Sequence, residues 1–228
     1  MRRTALAAFF LLVAVTTGAA ADAPRRISVT GEGMAAAAPD MAVIALGVVQ
    51  EAANAAEAMQ EASRAMQGVV DRLEKAGIAA RDVQTANIAL NPQYDRMQSG
   101  EVPRVIGYVA SNDLNIRVRD LDKLGGLLDA LVKDGANRMN GISFTFADPG
   151  PLEDAARKAA VKDARERAEL LAAAAGVGLG RVIRIDEPGG AAPPVPMQRA
   201  MTMDAAVPVA GGEIEIHRSV TIVWSLKD

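Results

Sequence analysis

The chain has 228 residues, with 25 Lys and Arg against 28 Asp and Glu, so its formal net charge is −3, a balance that excludes nucleic-acid phosphate as the natural partner. It contains no cysteine and one histidine, which removes disulfide stapling, thiol chemistry and paired imidazoles from consideration. Its length suffices for one sizeable core or for two small halves.

The first residues, MRRTALAAFFLLVAVTTGAAADAP, place Arg2 and Arg3 before an apolar run from Ala5 to Val15 and then small residues. This is the layout of a secretory signal, too short to span a bilayer, with cleavage expected after Ala21. Loss of residues 1–21 leaves 23 basic against 28 acidic residues, a mature net charge of −5. Nothing after residue 21 is long and apolar enough for a transmembrane helix, so no integral membrane span is expected. An exported chain without disulfides suits a bacterial periplasm.

In chain order, RISVTGEG (26–33) alternates as a half-buried strand, and MAAAAPD follows as a loop. MAVIALGVVQEA is apolar on both faces, which predicts a strand deep in a sheet. From Asn54 to Lys75 the period changes to a helix with Met59, Ala62, Met66, Val69, Val70 and Leu73 on one face, and Gly77 is its expected left-handed cap. GIAARDVQTANIALNPQY then turns into an extended segment with Ile88, Leu90 and Tyr94 on one side. Pro92 pushes that segment toward a sheet edge.

VIGYVASNDLNIRV predicts a long strand paired with its predecessor. DLDKLGGLLDALVKDGA predicts a second helix, and NGISFTFADP a strand with Ile142, Phe144 and Phe146 on one face. PLEDAARKAAVKDARERAELLAAAAG is a helix with a narrow stripe of Leu152, Ala156, Ala160, Ala164, Ala168 and Leu171. Glu153 with Arg157 and Asp154 with Lys158 decorate its outer side. RVIRIDEP and EIEIHRSVTIVWSL close the chain as strands, the second with Ile214, Ile216, Val220, Ile222, Trp224 and Leu226 on one face. The intervening Gly- and Pro-rich segment, 189–212, is expected to be a flexible loop.

This order defines an α+β fold: antiparallel sheets with helices on one face, containing a split βαβ (ferredoxin-like) unit over 40–148, extended by a further helix and two strands over 149–228. Residues 22–228 are expected to form a single domain.

Candidate chemistry is sparse. His217 shares a strand face with Glu213, Glu215 and Ser219, opposite the apolar face, so it is expected in solvent, and no G-x-S-x-G elbow supports a serine hydrolase. Gly176 to Arg181, GVGLGR, follows a helix and opens a strand, the reverse of a dinucleotide loop, and reads as a helix cap. Asn91-Pro92-Gln93-Tyr94 matches a short phosphotyrosine-domain signal but is expected at a strand end. Asp113, Asp120, Asp122 and Glu213 lack calcium-loop spacing. Met197, Met201 and Met203 are candidate soft-metal ligands or oxidant traps, with packing as the plainer expectation. Gln84, Asn87 and Tyr94 are candidates for a functional surface. No catalytic residue and no cofactor is assigned; an envelope hydrolase with unrecognised carboxylates is the enzymatic alternative.

Taken together, ISVTGEG (27–33), GIAARDVQTANIALNPQY (77–94), IGYVASNDLNIRVRDLDKLGGLLDALVKDGAN (106–137) and ISFTFADPGPLEDAARKAAVKDARERAELLAAAAGVGLGRVIRI (142–185) resemble the SIMPL-domain family of exported bacterial proteins. That family includes periplasmic immunogenic proteins and oxidative-stress defence proteins. The resemblance implies an α/β fold, a periplasmic location, a role in oxidative or envelope stress defence and, in at least one branch, ring-like or channel-like homo-oligomers. It implies no catalytic residues. A non-enzymatic, self-assembling protein is therefore expected, with a homo-oligomeric partner, an envelope protein as a further partner and no nucleic acid.

Overall fold

The computed structural model describes residues 25–95, 102–189, 195–197 and 210–228. The expected signal peptide lies outside the described residues. The elements are β1 (Arg26–Ala37), β2 (Met41–Ala52), α1 (Ala55–Lys75), β3 (Val83–Tyr94), β4 (Val105–Val118), α2 (Leu124–Lys133), β5 (Arg138–Thr145), α3 (Gly150–Ala174), β6 (Gly178–Asp186), β7 (Val195–Met197) and β8 (Glu213–Lys227). Short 3-10 turns at Ala80–Asp82 and Leu121–Lys123 lead into β3 and α2.

Two antiparallel sheets result, and the α+β class is as the sequence reads. One has the order β3-β4-β2-β5; its helical connections join strands that lie two places apart, with one antiparallel strand between them. Strand β2 is central, between β4 and β5; its Ala42, Ile44, Leu46 and Val48 face is buried and its Val43, Ala45 and Val49 face partly so. Alternate residues Ala42, Ile44, Leu46 and Val48 of β2 and Ala110, Leu114, Ile116 and Val118 of β4 form the floor of the larger core. Helix α1 covers it with Ala58, Ala62, Met66, Val69 and Leu73, and α2 with Leu124, Leu127, Leu128 and Leu131. Met59 and Val70 of the predicted helix face are only partly buried, at the margin.

The ends of α1 are specified locally. The Asn54 side chain caps the helix by accepting from the Glu57 backbone N–H at 2.8 Å, and its Nδ2 donates to the Glu57 carboxylate at 3.0 Å. At the other end Gly77 takes φ +80°, as predicted, and Ile78 N–H reaches back to the Leu73 carbonyl at 3.0 Å.

The second sheet has the order β1-β8-β6, with β7 also on β8. Its outer strand is the first of the chain: β1 pairs with β8 from Arg26 opposite Ser225 to Ala37 opposite Ile214. The expected loop Met34–Asp40 is therefore shorter than predicted, because the long partner β8 supplies backbone groups that carry the strand on to Ala37. The elements from β2 to β5 are thus inserted between β1 and the helix α3 that packs on it. The expected loop 189–212 contributes β7, whose Met197 backbone lies opposite Glu213.

Helix α3 lies close on this second sheet. A Cβ at Gly33 would stand 2.0 Å from the Ala156 carbonyl oxygen, and one at Gly31 would stand 2.2 Å from that of Ala160. The glycines of TGEG and the alanine stripe are two halves of one contact. The stripe runs Ala156, Ala160, Ala164, Ala168, Ala172; Leu171, predicted to belong to it, is exposed, because strict four-residue spacing continues to Ala172. The predicted pair Asp154 with Lys158 gives way to Asp154 with Arg157 at 2.8 Å, since Arg157 also binds Glu153 at 3.2 Å and Glu187 at 2.7 Å. Val29, Val220, Ile222 and Trp224 complete this smaller core. Strand β5 ends at Thr145, so Phe146 lies past it.

Candidate functional site

A concavity of about 780 Å³ opens at the end of the first sheet where α1 stops, β4 ends and α2 begins. Three segments meet there: Arg72 to Asp82, Arg117 to Lys123, and the α2 residues Gly126, Leu127 and Ala130. The sequence reads Gly77–Asp82 as a junction, and it is one; the structure adds that it walls a cleft. Its size falls in the range of small-molecule sites, roughly 300–1,000 Å³.

Asp82 anchors the cleft. Its side chain is almost fully buried, and Arg119 donates to it through Nη2 at 2.9 Å and Nε at 3.3 Å, a forked contact. Those bonds hold the Asp82 carboxyl below the ordinary carboxylate range. Lys123 does the same for Asp120 at 2.5 Å. Arg72 is bonded to Asp134, which ties the end of α1 to that of α2 and lowers the Asp134 carboxyl. Carboxylates so engaged stay ionised near neutrality and do not donate protons there. Lys75, Arg81 and Arg117 face the same cleft with no ion-pair partner among the described residues.

A second hollow, about 550 Å³, is lined by Glu32, Met34, Glu187, His217, Arg218 and Ser219. His217 is half-exposed, as its strand position predicts, with Nε2 at 3.3 Å from the Glu215 carboxylate. Arg218 is the surprise of this strand: it interrupts the apolar face between Ile216 and Val220, is nearly buried, and is neutralised by Glu153 at 2.8 Å.

The other named residues are dispersed. Gly176 has φ +72° and Val177 N–H bonds the Ala172 carbonyl at 3.0 Å, so GVGLGR caps α3 and opens β6. Gln84, Asn87 and Tyr94 lie along β3, with Tyr94 exposed, and Pro92 sits opposite Tyr108 on that edge strand. Asp113 is buried opposite Gly47 and approached by Asn140 at 3.3 Å and Arg138 at 3.6 Å. Asp122 lines the cleft, and Glu213 begins β8. Met201 and Met203 lie outside the described residues, and of Met197 only the backbone, on β7, is described. Among the described residues no three His, Asp or Glu side chains are placed to hold a metal.

Sequence reasoning missed the cleft because its cations are spread over three segments. The signal was present in IRVRDLDK, where Arg117, Arg119 and Lys123 recur close to the turn into α2.

A double-sheet α+β protein with a cation-lined cleft at the end of one sheet is the class that fold and site define. Within it, the chain belongs to the SIMPL family, described as a protein of unknown function (DUF541), whose profile matches residues 27–224. It is 41% identical over 214 residues to the 26 kDa periplasmic immunogenic protein of Brucella melitensis, covering 90% of this chain and 86% of that one. It is 32% identical over 212 residues to the uncharacterized protein YggE of Escherichia coli K12, covering 90% and 85%. No helix among the described residues is long and apolar enough to cross a membrane.

Proposed function

We propose that this protein is an exported, non-enzymatic component of the periplasm that assembles with copies of itself through the free edge of β3. The observation that carries the proposal is the chemistry of that edge. All twelve residues of β3, VQTANIALNPQY, are uncharged. Free edges of natural sheets are normally guarded by charge, by proline, by bulges or by cover; β3 has Pro92 and irregularities at Thr85/Asn87 and Gln93/Tyr94, and no charge or cover among the described residues.

Ile88, Leu90 and Tyr94 on β3 are 56%, 40% and 56% exposed, and Val105 and Ile106 on the adjoining strand are exposed beside them. The edge of β1 is managed differently. Asp163 of α3 accepts from the Glu32 backbone N–H at 2.8 Å, and Arg167 donates to the Thr30 carbonyl at 3.3 Å. A second copy supplies β3 with what α3 supplies to β1, and closed homo-oligomers are the commonest outcome of such self-association.

The periplasmic part of the reading rests on the signal-like N-terminus and on the printed name of the Brucella relative. The non-enzymatic part rests on the ionised, engaged carboxylates of the cleft and on the solvated position of the one histidine. Defence against oxidative or envelope stress is the process the family resemblance implies. Light scattering on residues 22–228 tests the assembly: a mass several times that of one chain is expected, and a monomer at every concentration contradicts it. Peroxide survival of cells lacking the protein, equal to that of the parent, would remove the stress assignment.

A further inference from the structure

We propose that the cleft between α1, β4 and α2 is a binding site for a small organic oxyanion, a phosphate- or carboxylate-type head carried on an apolar body. The charge arrangement carries the inference. The lining has six cations against three acids in a protein whose whole chain is net negative. Arg119 and Lys123 are satisfied within the cleft and Arg72 by Asp134 outside it. Lys75, Arg81 and Arg117 remain; Asp122 offsets one charge of the excess, and a net positive field is left. Lys75, Arg81 and Arg117 are exposed at the rim and feel Asp134 and Asp82 only at a distance, so an anion entering the cleft meets a net positive field that salt will screen.

The satisfied pairs have a separate use. The buried Asp82 with Arg119, and Asp134 with Arg72, brace the walls, so that the cations left over project from a fixed frame. Ile78, Ala76, Ala79 and Ala130 add an apolar surface between the charges, over the buried Val118 and Leu127. The α2 glycine Gly126 leaves open space where a Cβ would stand. A bare inorganic ion would leave that apolar surface in water, whereas a head group on an apolar body uses both. The cleft is too small for a macromolecule, and the net charge of the chain disfavours a polyanion.

Calorimetric titration of the mature protein with phenyl phosphate, benzoate and inorganic phosphate tests this. Saturable one-to-one binding of phenyl phosphate is expected, at least tenfold tighter than inorganic phosphate and weakened by salt; the comparison with benzoate fixes which head group is preferred. Arg117→Gln is expected to weaken it about tenfold, and Arg64→Gln, the same charge change on the exposed side of α1, to leave it unchanged. Lys75→Gln with Arg81→Gln provides an independent loss should Arg117→Gln disturb the fold. Amide resonances of Gly77 and Gly126 should move on titration. Absence of saturation by both organic anions, equal weakening by Arg64→Gln, or inorganic phosphate binding as tightly as phenyl phosphate would overturn the proposal.

Discussion

The two sheets of this protein solve the same problem, a helix covering an antiparallel sheet, with opposite materials. The β3-β4-β2-β5 sheet uses large side chains: Ile44, Leu46, Leu73, Ile116, Leu124 and Leu131 are fully buried between it and its helices. The β1-β8-β6 sheet uses almost no side chain at the helix crossing, with Gly31 and Gly33 against an alanine stripe. The close approach has a consequence beyond packing. It brings the polar side chains of α3 within reach of the free backbone of β1, so that edge is covered, whereas among the described residues no side chain of α1 or α2 does the same for β3.

If the two cores are separate, deletions in one should leave the other in place. Leu46→Ala is expected to cost about 3–4 kcal/mol and to speed amide exchange in α1 and β4 ahead of β8. Trp224, the one tryptophan, is buried in the smaller core, so its fluorescence should report that core alone. Concerted loss of both signals would show that the cores melt as one.

Gly33→Ala adds one methyl group where a backbone carbonyl already stands, and is expected to cost about 3 kcal/mol, seen as early loss of Trp224 fluorescence. Asp82→Ala removes a charge-assisted forked contact and is expected to cost about 2 kcal/mol at pH 7. Because the folded carboxyl titrates below its unfolded value near 4, this contribution is present above about pH 4 and fades as pH falls through the lower folded value. The difference between parent and variant in urea midpoints should therefore shrink on acidification. Gly126→Ala, with open space at its Cβ inside a helix, is expected to stabilise by about 0.5–1 kcal/mol. The same substitution thus has opposite signs at the two glycines, and equal effects would refute the packing contrast.

Much of this was legible in local pattern. The 3.6 period and Gly77 mark α1; the alternation of β8 places Ile214, Ile216, Val220, Ile222 and Trp224 inside and His217 outside. The rest depends on partners distant in sequence. ISVTGEG shows a strand with two glycines, but only α3, more than 120 residues on, explains why no side chain is allowed there. Pairing of β1 with β8 leaves no local trace, because each alternates as any half-buried strand does. Arg218 breaks that alternation because its charge is met by Glu153 across the helix contact. The cleft was illegible for the same reason, since its cations come together only when α1, β4 and α2 are in place.

The most direct measurement is the solution mass of the mature protein beside that of the Ile88→Lys, Leu90→Lys variant. Both substituted positions are exposed, so the fold should survive, as retained Trp224 fluorescence and helical circular dichroism would verify. A multimer for the parent and a folded monomer for the variant is the predicted pair of results; a parent that is monomeric, or a variant that assembles as the parent does, contradicts assembly through β3.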